Sequence, residues 1–239
     1  MITFEDRAVA FIYVLGFKAL TDQAVGDPAA RLKLSQLISN LGSVVPILDA
    51  NVEKTVPSDL IPKSIYISDS IILSAPLTVR FDQVKNYSGL EILVMRCIQV
   101  SHALFDEGYL VRGGIAIGPL WHSTSNIVGP AYQEAYALET GTKDRLPRIV
   151  LSPEATTLWK SGGPSTGSRM CIDYGGAFMV NGLHDYYVPD QYRNNIQRAF
   201  AHYEALATSA LNSGLGHREA QKWSWMKQYI VDERHISCP

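Results

Sequence analysis

The chain has 239 residues, 46% apolar and 18% charged, so it can bury a sizeable core as one large domain or two small ones. Its formal charge of -2 gives no sign of a general nucleic-acid or polyanion binder. Cys97, Cys171 and Cys238 are widely spaced and form no CxxC pair, which fits reduced thiols in a cytosolic protein.

The N-terminal stretch MITFEDRAVAFIYVLGF reads as neither a signal peptide nor a membrane span, because Glu5, Asp6 and Arg7 precede only a short apolar run. Ala8–Phe17 is nearly continuous in apolar residues and predicts a buried central strand ending at Leu15-Gly16-Phe17. Asp27-Pro28 is a cap and first-turn signal for a helix over Ala29–Leu41, with Leu32, Leu34, Leu37, Ile38 and Leu41 mostly on one face. Val44–Pro62 contains Pro46, Pro57 and Pro62 and reads as an irregular connection or a short strand.

Ser64–Ser74 (SIYISDSIILS) is the second strong strand signal, broken at Ser68-Asp69-Ser70 by a hairpin tip or a kink. Tyr87–Glu107 has the spacing of a long amphipathic helix ending at Gly108. Tyr109–Gly118 follows as a strand, with Gly113 and Gly114 marking close backbone approach. A polar hairpin tip at His122–Asn126 leads through Gly129-Pro130 into a helix over Ala131–Glu139. That helix start would offer free N–H groups to an anion.

Leu146–Ser152 predicts a further strand, Pro153–Lys160 a short helix and Ser161–Ser168 a flexible loop. Met170–Tyr187 reads as a β pair broken by Gly175-Gly176 and by Asn181-Gly182, the latter a good hairpin turn. Helices are expected over Pro189–Asn212 and Gly216–Val231. Helices and strands alternate with hairpins among them, which argues for an α+β architecture and against a doubly wound parallel sheet. With no clear linker, residues 1–239 are expected to form one domain, a core over about 8–190 and a helical extension over about 190–239.

Asp69 is the sharpest chemical candidate, because an unpaired carboxylate inside an apolar strand region is costly. It either caps its own turn, the commoner role for Asp, or ligates a metal together with phosphate oxygens and water. Leu15-Gly16-Phe17 is either a backbone phosphate cradle or an ordinary strand end. Arg112, Arg145 and Arg148 suit phosphate forks or salt bridges. The histidines show no metal-ligand spacing, and Trp223 and Trp225 read as packing residues before a base-stacking platform.

Taken in order, FIYVLGF, SIYISDSIIL, and RGGIAIG followed by NIVGPAYQEAYALE resemble the class III nucleotidyl cyclase catalytic domain. The wording GPAY…AY…LE, the segment PRIVLS and the Trp-rich tail look most like the pyrimidine cyclases of bacterial anti-phage (Pycsar) systems. The resemblance implies a ferredoxin-like βαββαβ core with an extra C-terminal hairpin and helices. It implies a homodimer with two composite sites, UTP or CTP as substrate, and two divalent cations, Mn²⁺ or Mg²⁺. The ribose 3′-hydroxyl would attack the α-phosphate and release pyrophosphate. The cyclic product would be read by a separate effector, with no nucleic acid or membrane partner.

Residue by residue, the resemblance assigns metal binding to Asp69 and the Val14 backbone, and phosphate binding to Leu15, Gly16 and Phe17. It places base contacts at Ile65, Asn126 and the neighbouring Tyr66. Tyr13 stands where the family has its first metal-binding Asp, and a phenol with an unperturbed pKa near 10 is a poor ligand at neutral pH. Gln133 and Ala137 stand where purine cyclases place transition-state Asn and Arg. Gln133 can still donate a hydrogen bond, while Arg148 or Arg145 would have to supply the missing guanidinium.

Overall fold

The computed structural model describes residues 1–50, 52, 58–81, 85–141, 145–162 and 169–238. The central strand β1 is Glu5–Val14. Ala8, Ala10, Ile12 and Val14 enter one apolar core, while Val9, Phe11 and Tyr13 face another. Burial on both faces explains the unbroken apolar run. The strand stops earlier than predicted: Gly16 takes a left-handed φ of 85° and turns the chain into α1, Phe17–Ala24. Leu15-Gly16-Phe17 is therefore a turn into a helix, not the end of a strand.

Helix α2 spans Pro28–Ala50. The Asp27 carboxylate accepts the Ala29 N–H at 2.9 Å, as its cap position predicts. The helix continues through Pro46, where an irregular connection is expected. The proline removes one helical hydrogen bond, yet Leu37, Leu41, Val44 and Val45 bury in the core and hold the segment helical. Of the rest of that connection, residues 51 and 53–57 lie outside the described residues.

β2 (Lys63–Ile67) and β3 (Ser70–Pro76) form an antiparallel hairpin, with Ser68 at φ 59° in the tip. β4 (Thr78–Phe81) and β5 (Lys85–Ser88) make a small separate ribbon that the sequence does not announce. Because Tyr87 belongs to β5, helix α3 begins at Gly89 and runs to Asp106. A Cβ at Gly89 would sit 1.7 Å from the Pro76 carbonyl oxygen, so only glycine fits this junction.

β6 runs Val111–His122, beyond its predicted end at Gly118, and turns back as β7, Ile127–Val128. Helix α4 is Pro130–Gly141, followed by β8 (Ile149–Leu151) and α5 (Pro153–Gly162). Residues 163–168 of the expected flexible loop lie outside the described residues. β9 (Cys171–Tyr174) and β10 (Ala177–Val180) turn at Gly175-Gly176, both left-handed. Asn181-Gly182 is not the hairpin turn: the Asn181 side chain is buried, donating to Glu233 at 2.9 Å and accepting from the Tyr229 hydroxyl at 2.6 Å. Two 3₁₀ turns at Asp185–Tyr187 and Asp190–Tyr192 precede α6, Ile196–Leu211. The last helix, α7, is His217–Ser237.

The main sheet has the order β2-β3-β1-β6-β8-β10-β9, with β7 paired to β6. β1 is antiparallel to both β3 and β6, and β6–β8 is the one parallel pair among the described residues. The succession β1-α2-β2-β3-α3-β6 with this order is the ferredoxin-like βαββαβ arrangement, extended by the C-terminal hairpin and helices. α2 and α3 contribute to the core on one face of β1, and α4 to the core on the other. α6 and α7 close a third core over β8 and β10. Among the described residues no helix is long and apolar enough to cross a membrane.

Candidate functional site

The end of β1 is where the candidates gather. The β2–β3 tip is tied to β1 by the Val14 N–H, which donates to the Asp69 carbonyl at 2.9 Å. The Leu15 N–H donates to the Leu110 carbonyl at 2.9 Å. The Leu15 amide is therefore spent inside the fold and is not available to a phosphate, contrary to its assignment. Gly16 and the first turn of α1 remain in place, since the first amides of a helix have no carbonyl a turn back to bond.

Asp69 is half-buried. The Ser70 hydroxyl donates to its carboxylate at 3.3 Å, and the Tyr13 hydroxyl lies close enough to feel the Asp69 charge. Among the described residues no backbone amide is bonded to the Asp69 side chain, so the turn-capping role is not what holds it. Burial raises the Tyr13 pKa, and the Asp69 charge and hydrogen bond raise it further. The Glu139 charge adds to this and only Arg112 opposes it. Tyr13 is thus a neutral phenol beside the Asp69 carboxylate.

Arg112 lies across β1 from Tyr13, with its guanidinium 5.8 Å from the Tyr13 ring centre. Its Nε donates to Glu139 Oε1 at 2.7 Å and a terminal nitrogen bonds the same oxygen. Its Nη1 reaches the Arg145 carbonyl at 3.5 Å. Both members of the Arg112–Glu139 pair are about nine-tenths buried or more. Arg112 is therefore a buried structural cation that joins β6 to the end of α4, not a free phosphate fork.

The remaining assignments divide. Arg148 is buried and its Nη1 donates to the Gly175 carbonyl at 2.8 Å, so it holds the β9–β10 turn. Gln133 and Ala137 are exposed on the outer side of α4, whereas Ala131 and Ala135 face the sheet. The structure does not bring Gln133 to Asp69 within one chain. Ile65 shares a cross-strand row with Ile72, Phe11 and Gly114, two rows from Tyr13 and on the same face. Tyr66 falls in the row of Ile71 and Ile12 and packs on the opposite face. Ile65 and Tyr66 therefore cannot touch one base together. Asn126 sits exposed at the β6–β7 tip, where its N–H donates to the Ser123 hydroxyl at 3.0 Å. The length of β6 beyond Arg112, on the order of 30 Å of extended chain, separates that tip from the Asp69 end.

Two divalent cations would need more anionic oxygen than this end supplies. Tyr13 is a protonated phenol, Glu139 is held by Arg112, and Asp69 is the one carboxylate left. Among the described residues no group of three or more His, Cys, Asp and Glu side chains is placed to hold a metal. The donor set does not fit a cation pair.

A second polar cluster was not foreseen. Arg7 is buried in β1 and its Nε donates to the Ser74 hydroxyl at 3.0 Å, while His122 Nδ1 lies 2.7 Å from that hydroxyl. Lys63 donates to the His122 carbonyl at 2.9 Å, tying the β6–β7 hairpin to β2. The sequence signal was Arg7 at the head of an apolar strand, next in register to Gly118 and Pro76.

No protein-family model and no curated protein matches this chain. Among solved structures, a class III adenylyl cyclase-like ATP-binding protein from Pseudomonas aeruginosa is similar at 12% identity and a TM-score of 0.42. The match covers 82% of this chain and 40% of that one, so the chain spans well under two thirds of its length.

Proposed function

We propose that the chain binds a nucleoside triphosphate at the Gly16–Asp69 end of the sheet and, as a single chain, does not turn it over. The observation that supports this is the junction itself. One strand end brings together a left-handed glycine opening a helix and a hairpin tip whose Asp69 backbone carbonyl accepts the Val14 amide, which sets the Asp69 carboxylate beside that strand end. Helix-start amides suit phosphate oxygens. The neutral Tyr13 phenol beside Asp69, the Arg148 nitrogen engaged by the Gly175 carbonyl and the outward Gln133 argue against an assembled catalytic set within one chain.

A second reading is a pyrimidine nucleotide cyclase that acts only as a homodimer and makes a cyclic nucleotide for a separate effector. The outward position of Gln133 favours it, because on α4 that side chain is open to another copy and not to its own Asp69. Calorimetry with each nucleoside triphosphate tests the first reading, with heat of binding expected for at least one. Incubation of concentrated protein with UTP or CTP and Mn²⁺ separates the two: a 3′,5′-cyclic product supports the cyclase, and binding without product supports the non-catalytic reading.

A further inference from the structure

The hairpin made by the end of β6 and by β7 reaches beyond its neighbouring strand. β1 lies between β6 and the β3–β2 pair in the sheet, yet His122 contacts both of those outer strands. Its Nδ1 is 2.7 Å from the Ser74 hydroxyl on β3, and its carbonyl accepts from Lys63 on β2 at 2.9 Å. Leu120 and Ile127 of the same hairpin pack in one cluster with Val9 and Ile72. Residues 119–128 thus form a strap over the Val9 face of the sheet. Two glycines bracket it, Gly118 at φ 144° and Gly129 at φ 154°, a backbone region that side chains rarely adopt. A Cβ at Gly129 would lie 2.5 Å from the Pro119 carbonyl oxygen, so the two ends of the strap meet. Facing glycines at the root of a hairpin suit a hinge, where a few residues absorb the change in backbone angles.

The latch is chemically specific. The Ser74 hydroxyl oxygen accepts from Arg7 Nε at 3.0 Å, so its own proton goes to His122 Nδ1. The ring is then the neutral tautomer with its proton on Nε2. His122 is 4% exposed and, among the described residues, its Nε2 has no hydrogen-bond partner. A buried N–H without an acceptor is costly, and water supplies the acceptor once the strap lifts. Two bonds therefore hold the strap closed, and one orphan donor opposes them. The charges facing the ring are the cations Arg7 on β1 and Lys63 on β2. Glu5, also on β1, is ion-paired with Arg7 at 2.8 Å, and among the described residues no carboxylate bonds the ring. A proton on Nδ1 would meet the Ser74 hydroxyl as a second donor and leave the hydroxyl proton without its acceptor. It would also bring a third positive charge beside Arg7 and Lys63. Both effects weaken the closed strap.

We infer that residues 119–128 are a hinged strap latched by neutral His122, and that protonation of His122 releases the strap from β3 and β2 while the rest of the sheet stays folded. Release lifts the apolar residues of the strap from Val9 and Ile72. Ser74 and Lys63 stand at the end of the β2–β3 hairpin opposite its Asp69 tip, so the device does not depend on the nucleotide-binding reading.

The test is hydrogen exchange of the full chain at pH 7 and pH 5, read by mass spectrometry and corrected for the pH dependence of intrinsic exchange. Peptides from the strap are compared with peptides from α3. Strap amides should exchange faster than α3 amides at both pH values, through an opening smaller than global unfolding. With the ring pKa at about 4 when closed and near 6.5 when open, strap opening should rise about twentyfold from pH 7 to pH 5. His122→Gln should remove most of that rise, since glutamine does not titrate. Lys63→Met, which leaves the ring in place, should speed strap exchange at pH 7 and keep a rise at pH 5. Equal protection of strap and α3 would show that the strap opens only with the whole fold and would overturn the inference. A rise of wild-type size in His122→Gln, or wild-type strap exchange in Lys63→Met, would overturn it as well.

Discussion

The Tyr13 hydroxyl stands close enough to the Asp69 carboxylate for that charge to raise its pKa, at the junction where the Val14 amide ties β1 to the β2–β3 tip. This relationship decides what the site can hold. A phenol kept neutral by burial and by the adjacent carboxylate offers a proton where a metal site would offer charge. Replacing Tyr13 with Asp puts two carboxylates at the same place. Tyr13→Asp should therefore lower the melting temperature of the free protein by like-charge repulsion. It should also gain a Mn²⁺-dependent rise in melting temperature with nucleotide, larger than that of the wild type. Thermal denaturation with and without Mn²⁺ measures both.

Asp69 itself is half-buried and, among the described residues, its side chain accepts from the Ser70 hydroxyl and sits beside the Tyr13 phenol. Neither partner is a backbone group the fold depends on. Asp69→Ala should change stability by less than about 1 kcal/mol, the range of substitutions away from core and caps. It should remove or sharply reduce the heat of nucleotide binding in the same preparation. A variant that unfolds instead would return Asp69 to a structural role.

The ordered set of strands and helices was legible because each has a periodic apolar signal and glycines mark the close approaches. FIYVLGF, SIYISDSIIL and RGGIAIG became β1, the β2–β3 hairpin and β6, in the order a ferredoxin-like sheet requires. The boundaries were less legible where tertiary burial overrules local signals. Pro46 reads as a helix breaker, but Val44 and Val45 are buried beside it and the helix persists. Asn181-Gly182 reads as a turn, but its amide is taken by Glu233 from α7, a partner 52 residues away. The site failed to read for the same reason. Nothing local to Arg148 announces that it bonds Gly175.

The Arg112–Glu139 pair is a buried fork between β6 and α4. Removing one charge strands the other in a poorly solvated place, which costs roughly 3–5 kcal/mol. Arg112→Met and Glu139→Leu should each lower stability by that order in urea unfolding. The double variant should recover most of the loss, because two apolar groups of similar length leave no buried charge. Equal losses in the single and double variants would mean that the pair packs by shape and not by charge.

Gly114 is a close approach between β6 and α4: a Cβ there would lie 2.5 Å from the Ala135 carbonyl oxygen and 2.6 Å from the Leu138 Cβ. Neither atom is the end of a flexible chain, so the helix must lift. Gly114→Ala should cost about 1–3 kcal/mol, the range for an overpacked core. It should also disturb Glu139, one residue beyond Leu138. A denaturation midpoint equal to that of the wild type would contradict the tight contact.

Acid should destabilise the protein through two histidines. His102 is fully buried between the Tyr203 hydroxyl at 3.0 Å and the His184 carbonyl at 3.1 Å. Burial pushes its pKa down to about 4; the His184 carbonyl opposes this, the His184 charge assists it and Asp185 opposes it. His122 is pushed down to about 4 by burial, then by the charges of Arg7 and Lys63. An unfolded histidine titrates near 6.5. Between about pH 4 and 6.5 the unfolded chain therefore binds more protons than the folded one, and stability rises with pH across that window. The contribution is complete above about pH 6.5 and is lost as the pH falls toward 4. Urea midpoints at pH 7 and pH 5 should differ in that direction. His122→Gln should shrink the difference, since glutamine keeps a hydrogen-bonding group for the Ser74 hydroxyl without a titrating ring. A midpoint that holds constant over this range, or climbs on acidification, would show that neither ring is held neutral by its surroundings.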